Sequence, residues 1–241
     1  VMGKKMRYKN PKLVVDEIEL LYKEYGHRHF SFFDDNLVIK KSHIIDICNE
    51  IIRRRLNIQF ETPNGVAVNF IDEEVLDMLC MAGLVSLSLP IEHGSDYIRN
   101  RIIKKNLLSD KIHKVVDMTK RYKDLIVRAF FIIGFPEETP ETIQATIDMV
   151  QMIDVDKPIV NNLMPYAGTK VFNQCVKDNL FIDSIDLKNI WKLGDLSFSN
   201  TRQFYIKPYK MKIDELEAFR KEIDILVMNN RKYKFKYRQS L

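Results

Sequence analysis

The sequence contains no apolar run approaching the roughly 20 residues that a helix needs to cross a bilayer. Its first residues, VMGKKMRYKN, are basic and lack the apolar stretch of a secretory signal. Both absences point to a cytoplasmic chain. Cysteine is scarce as well: three occur, Cys48, Cys80 and Cys175, too few and too scattered for a disulfide framework. Cys48 in SHIIDICNEIIRRR and Cys80 in EEVLDMLCMAG stand among aliphatic residues at helical spacing, so both read as small buried hydrophobes.

What is present suits a sizeable core. At 241 residues and 46% hydrophobic, the chain can fill one α/β barrel or two small domains, and one domain with a C-terminal appendage is expected. Short β-branched and aromatic runs alternate with amphipathic ones about every 27 to 40 residues. The expected strands are HFSFFD (29–34), IQFET (58–62), VSLSLPIE (85–92), LIVRAFFIIG (125–134) and PIVNNLM (158–164). Helices between them start at capping side chains, Asn10 before Pro11, Asp72 before Glu73 and Thr139 before Pro140, and Gly26 and Gly83 close two of them. Strands separated by helices pair in parallel through right-handed crossovers. In VSLSLPIE, Ser86, Ser88, Pro90 and Glu92 share one face and Val85, Leu87, Leu89 and Ile91 the other. Small polar residues on one face suit the lumen of a barrel better than a doubly wound sheet, which buries aliphatics on both faces.

In parallel barrels, reacting groups lie at the C-terminal ends of strands. Those positions here hold Asp34, Asp35 and Asn36; Pro63, Asn64 and Gly65; Glu92, His93, Gly94 and Ser95; Gly134, Phe135, Pro136 and Glu137; and Pro165, Tyr166, Ala167, Gly168 and Thr169. Taken singly, each group serves equally well as a turn, a strand stop or a helix start. Five such groups at successive strand ends are harder to assign to turns alone.

FFDDN, PNGV, IEHGS, IIGFPEET and MPYAGT, in this order and at these intervals, closely resemble the strand-end motifs of radical S-adenosylmethionine enzymes, especially the group that includes cobalamin-binding members and methylthiotransferases. The similarity covers residues 1 to about 181. It implies a partial parallel TIM-type barrel, (β/α)6-like and missing the first strand, in residues 1–181, followed by a linker, an amphipathic helix and a basic tail in 182–241. It also implies binding of S-adenosyl-L-methionine. Asp34, Asp35 and Asn36, in the place of the family's Gly-Gly-Glu segment, would receive the ammonium of the methionine moiety. Glu92 would reach the ribose or the amino acid portion, with Ser95 and Asn64 beside these motifs. Gly134, Phe135 and Glu137 match the end of the family's Gly-x-Ile-x-Gly-x-x-Glu pattern, where the backbone meets adenine. Phe130 stands where that pattern has its first glycine, a departure that falls on the adenine pocket. Pro165 and Tyr166 would lie near the adenine edge, and Arg128 and Lys105 are candidates to balance the ligand carboxylate.

The family chemistry requires a 4Fe-4S cluster on a CxxxCxxC loop, an electron donor such as flavodoxin or ferredoxin, and cleavage of the ligand to a 5′-deoxyadenosyl radical that abstracts hydrogen from a substrate. These 241 residues contain no such loop. In the family, a segment like VMGKKMRYKNP follows closely after it, so the chain is expected to start just downstream of the cysteines, and by itself to be inactive. Cobalamin would bind through a further upstream domain, in a methylation, cyclisation or other oxidoreductase reaction. Two readings from other classes remain at this point. Asp34, Asp35, Glu92 and His93 could hold a metal in a barrel hydrolase. The net charge of +5, concentrated in the tail RKYKFKYRQ, could make the chain a scaffold that binds RNA through residues 231–241, although a solvated tail is the commoner explanation. The stretch MKIDELEAFRKEIDILVMNN reads as an amphipathic helix, with Ile213, Leu216, Phe219, Ile223, Leu226 and Val227 on one stripe, too acidic to lie on a lipid surface.

Overall fold

The computed structural model describes residues 7–183, 185, 187 and 203–229. The expected segments Val1–Met6, Trp191, residues 194–202 and the basic tail 231–241 lie outside them. Helices and strands alternate: α1 (Pro11–Glu24), β1 (His29–Ser31), α2 (Lys41–Arg53), β2 (Gln59–Thr62), α3 (Glu73–Met81), β3 (Leu84–Glu92), α4 (Ser109–Thr119), β4 (Ile126–Ile133), α5 (Pro140–Met152), β5 (Lys157–Asn162), α6 (Lys170–Lys177) and α7 (Ile213–Met228). The five strands form one sheet in the order β1-β2-β3-β4-β5, and β1 pairs with β2, and β2 with β3, in parallel. Sequential order and parallel pairing are what helix crossovers enforce. β1 and β5 have one neighbour each, so the sheet is not closed, as an incomplete barrel requires. Among the described residues, no helix is long and apolar enough to cross a membrane.

The helix starts follow the capping chemistry read from the sequence. Asn10 accepts a hydrogen bond from the Lys12 N–H, Asp72 from the Val75 N–H, and Thr139 forms a reciprocal capping box with Thr142. Each such cap is worth about 1 kcal/mol. Gly26 and Gly83 adopt φ +71° and +108° after α1 and α3. At Gly83 a Cβ would lie 2.1 Å from the Ile58 carbonyl oxygen, so the residue serves both the turn and the approach of β2.

The chain divides into two compact units, Val1–Pro90 with Asp110–Arg128, and Ile91–Ser109 with Ala129–Leu241. In the first, α1 packs on α2 and α2 on α3; Ile44, Ile47, Cys48 and Ile51 of α2 and Val75, Leu76 and Leu79 of α3 are buried. Burying each such aliphatic side chain contributes about 1.5–3 kcal/mol. Cys48 is buried as expected, whereas Cys80 is only partly so. Along β3 the ladder with β2 slips by one residue: Phe60 opposes Leu84, but Glu61 opposes Ser86 and Thr62 opposes Leu87. Ser86 and Ser88 are buried, and neither hydroxyl has a hydrogen-bond partner.

In the second unit, α7 packs against β5 and α5. Leu216 and Ile223 are buried on the expected stripe, and Arg220 joins them. Its guanidinium donates to the Val160 carbonyl at 2.6 Å and to Asn162 at 3.1 Å, and pairs with Asp224 at 2.7 Å, so the apolar stripe is interrupted by a charge that finds partners on β5. Residues 203–209 are also integral to this unit. An antiparallel bridge joins Ile206 to Phe181, and Cys175, Leu180, Phe181, Tyr205 and Ile206 form a buried cluster.

Candidate functional site

In the first unit, the loop after β1 carries Asp34 and Asp35, both exposed, and Asn36, whose Oδ1 is buried without a partner. The loop after β2 reaches it: the Asn64 amide donates to the Phe33 carbonyl at 2.9 Å. Gly65, at φ +93°, turns this loop beneath β3, where a Cβ would meet Pro90 Cδ at 2.9 Å. A polar lane runs across the sheet from Ser31, whose hydroxyl donates to Glu61 at 3.1 Å, to Arg128, whose guanidinium lies 3.4 Å from the same carboxylate. Arg128 therefore already has a counter-ion on β2. Glu61 was not singled out by sequence reasoning, because a glutamate in a short strand reads as an exposed side chain. Register alone, Ser31 opposite Glu61 and Glu61 opposite Ser86, reveals the lane.

In the second unit, the turn after β3 is tightly held. Glu92 adopts φ +76°, a left-handed conformation that is strained for a residue with a Cβ, and its Oε1 accepts from Lys105 Nζ at 2.7 Å. Lys105, like Arg128, is thus engaged by a carboxylate of the chain itself. Ser95 donates its N–H to His93 Nδ1 at 2.9 Å, and His93 Nε2 lies 2.7 Å from Glu138 Oε1. His93 and Glu138 are both fully buried. Burial pushes the Glu138 carboxyl above its ordinary range, and the adjoining His93 opposes that rise. Both imidazole nitrogens are therefore occupied by the chain itself, which removes His93 from the ligand set that a metal hydrolase would need. Among the described residues, no group of three His, Cys, Asp or Glu side chains could hold a metal ion.

Arg99 ties the whole turn. It is fully buried and donates to the carbonyls of His93 at 2.6 Å, Gly94 at 3.3 Å and Leu107 at 2.8 Å, to the Ser109 hydroxyl at 2.8 Å, and to Asp96. A π-helical turn, Ile98–Ile102, carries it inward. Gly94 lies so close to α5 that a Cβ would sit 2.1 Å from the Ala145 carbonyl oxygen, and its N–H donates to Thr146 at 3.0 Å.

At the end of β4, Gly134 has φ +93°, and a Cβ there would meet the Phe204 ring at 3.1 Å. The space beside this glycine is filled by residue 204. Phe135 is buried with its ring edge-on to His93, and Glu137 Oε1 accepts from Gln174 at 2.8 Å while its Oε2 is buried without a partner. After β5, Pro165 is buried and Tyr166 is 63% exposed, its carbonyl accepting from the backbone and hydroxyl of Thr169, which caps α6. Sequence reasoning missed Arg99, Glu138 and Phe204. An arginine within YIRNRII and a second glutamate within PEET resemble solvated charge, and the one available signal was their position inside strand-end loops whose neighbours are apolar.

Comparison with known proteins gives these loops a context. Residues 1–150 match the model of the radical SAM superfamily. The chain is 29% identical over 180 residues to an uncharacterised methyltransferase of Pyrococcus horikoshii, an alignment of 75% of this chain with 38% of that protein. It is 27% identical over 187 residues to the cytidylyl-2-hydroxyethylphosphonate methyltransferase of Streptomyces wedmorensis, covering 75% of this chain and 34% of the relative. The chain thus spans about a third of the length of these curated relatives. A solved structure of a radical S-adenosylmethionine methyltransferase from Kitasatospora setae, with cobalamin and a 4Fe-4S cluster bound, has the same fold: the TM-score is 0.58 at 22% identity, over 70% of this chain and 32% of that one. With a family match over residues 1–150 of 241, an open parallel sheet, and the expected motif at the end of each strand, the chain belongs to the radical SAM superfamily.

Proposed function

We propose that this chain is the S-adenosylmethionine-binding core of a radical SAM enzyme, a transferase or oxidoreductase acting in methyl transfer or cyclisation. The observation that carries the reading is the placement of FFDDN, PNGV, IEHGS, GFPEET and MPYAGT at the C-terminal ends of β1 to β5 of one sheet. Residues 1–181 would form the binding core, and 182–241 would contribute to substrate recognition.

The residues present fit the ligand. Buried oxygens without partners, on Asn36, Ser86, Ser88 and Glu137, are the kind of groups that a ligand rich in hydroxyls and amines satisfies. Asp34, Asp35 and Asn36 would receive the ligand ammonium, the carboxylates by charge-assisted hydrogen bonds, with Asn64 holding their loop through the Phe33 carbonyl. Glu92 and Ser95 would serve the ribose or amino acid portion. Gly134, Phe135 and Glu137 would meet the adenine through their backbone, and Pro165 and Tyr166 its edge. Arg128, paired with Glu61, and Lys105, paired with Glu92, would balance the ligand carboxylate with their remaining N–H donors. When bound, S-adenosylmethionine supplies a sulfonium centre whose cleavage gives a 5′-deoxyadenosyl radical or whose methyl group is transferred.

The cysteines do not fit a 4Fe-4S cluster. Burial pushes the Cys48 thiol up to about 12 and Cys175 to about 11, disfavouring the thiolate that iron requires, and the three are far apart in sequence. The cluster ligands and a cobalamin domain would come from sequence outside these residues, and an electron donor such as flavodoxin or ferredoxin would supply the electron. The reading is tested by anaerobic reconstitution of the full-length protein with iron, sulfide and S-adenosylmethionine. Iron-sulfur absorbance and formation of 5′-deoxyadenosine or S-adenosylhomocysteine are expected. A reconstituted protein that shows neither, and does not bind S-adenosylhomocysteine at equilibrium, overturns it.

A further inference from the structure

The turn that presents Glu92 is held by a fully buried polar network whose far end lies on the next strand-end loop. A non-glycine residue at φ +76° costs on the order of 1–3 kcal/mol and persists only where its surroundings over-determine it. The surroundings here are explicit. Arg99 fixes the His93 and Gly94 carbonyls, the Gly94 N–H is bound to Thr146, and the Ser95 N–H is bound to His93 Nδ1. Because Nδ1 accepts that bond, a neutral imidazole carries its proton on Nε2, and Glu138 Oε1 accepts it at 2.7 Å. Thr146 Oγ1, 3.3 Å from each ring nitrogen, closes the third side.

We infer that Glu138 is a positioning residue: through the buried His93 ring it locks the turn that aims Glu92 at the ligand. A polar pair with no solvent exposure gives little stability that an apolar pair of the same volume would not supply. What it does supply is one ring orientation, and with it one setting of the Ser95 amide, three residues beyond Glu92 in the same turn. Glu138 achieves this with one oxygen, since Oε2 has no partner. The amide oxygen of a glutamine can accept the same bond, whereas alanine leaves the Nε2–H buried and unsatisfied. The inference rests on the ligand-facing role given above to Glu92.

The test uses the full-length protein with Glu138→Gln, Glu138→Ala, Glu92→Gln and the Glu92→Gln/Glu138→Ala double variant. The first readout needs no ligand: in ¹⁵N-histidine-labelled protein, the His93 Nε2–H should give a deshielded, slowly exchanging proton signal, and the Ser95 amide should exchange slowly. Both should persist in Glu138→Gln and vanish in Glu138→Ala. The second readout is equilibrium binding of S-adenosylhomocysteine, expected to weaken about tenfold to a hundredfold in Glu138→Ala and to stay within about threefold of wild type in Glu138→Gln. Glu92→Gln should weaken binding to a similar extent, and the double variant should lose no more than the weaker single one, because both act through one carboxylate. Fully additive losses, or unchanged exchange of the Ser95 amide in Glu138→Ala, would overturn the inference. Absence of binding by the wild-type protein would overturn the functional reading alone, and the exchange measurements would still decide the role of Glu138 in the turn.

Discussion

Replacing Arg99 by methionine should be one of the most damaging single changes in the second unit. Methionine matches the length and apolar stem of arginine but offers no donors, so the carbonyls of His93, Gly94 and Leu107 and the Ser109 hydroxyl lose their common partner. The ion pair with Asp96 matters least, because that carboxylate is 66% exposed and returns to water at a cost of about 0–1 kcal/mol. The carbonyls matter most. Each buried acceptor left unsatisfied costs about 1–3 kcal/mol, and while the Leu107 oxygen keeps the Asn100 amide at 3.1 Å, the His93 and Gly94 oxygens lose the guanidinium that ties them. Against this stands relief from holding a guanidinium away from water, the burial that presses its pKa down. Because only one side of the network is replaced, the loss of donors outweighs that relief, and a net destabilisation of about 2–5 kcal/mol is expected. Urea unfolding followed by circular dichroism measures it, with Asp96→Asn as the control, expected to fall within about 1 kcal/mol of wild type. If Arg99→Met unfolds at the wild-type urea midpoint, the guanidinium does not hold the turn and the account given of it is wrong.

Gly94→Ala should cost more than about 3 kcal/mol, because its methyl group meets the backbone of α5 at Ala145 and Thr146 rather than a yielding side chain, and a thermal melt reads the loss. Gly134→Ala should also destabilise. Adding Phe204→Ala should fail to restore stability, since it removes the 3.1 Å contact but leaves the φ of +93°, and full recovery in the double variant would contradict this. The Glu138 carboxyl, raised by burial above its ordinary 4.5, binds its proton more tightly in the folded than in the unfolded chain. Its contribution to stability is therefore complete below the unfolded value and declines as pH rises through the higher folded one. The urea midpoint of wild type relative to Glu138→Gln should accordingly fall across that window, and a pH-independent difference would refute the assignment.

The sheet was legible because its signals are local. Each of the five expected strands exists, with ends displaced by one to three residues where pairing stops. The first strand was read through Asp34, but its ladder ends at Ser31 opposite Glu61, and the remaining residues leave the sheet to form the loop that Asn64 holds. Capping at Asn10, Asp72 and Thr139 was legible for the same reason, since an oxygen before a helix start acts within three residues. What the sequence concealed was charge in the interior. Arg99, Glu138 and Arg220 are buried because their partners are carbonyls and side chains brought to them by the fold, and Arg220 meets Val160 from 60 residues away. Residues 203–209 were opaque as well: they show no periodicity, and their place against Phe181 and Gly134 is set by pairings distant in sequence.

The slip between Phe60 and Glu61 decides more than local hydrogen bonding. Strand side chains alternate sides strictly, so one unpaired residue near the start of β3 inverts the sidedness of everything after it. Leu84 and Leu87, three apart, can then point the same way, and the serines are handed to the side where Glu61 stands. Without the slip, Val85 would stand opposite Glu61 and the two rows would exchange, setting leucines on the side of the polar lane and hydroxyls on the other. One residue with no chemistry of its own thus acts as the switch of parity for the strand.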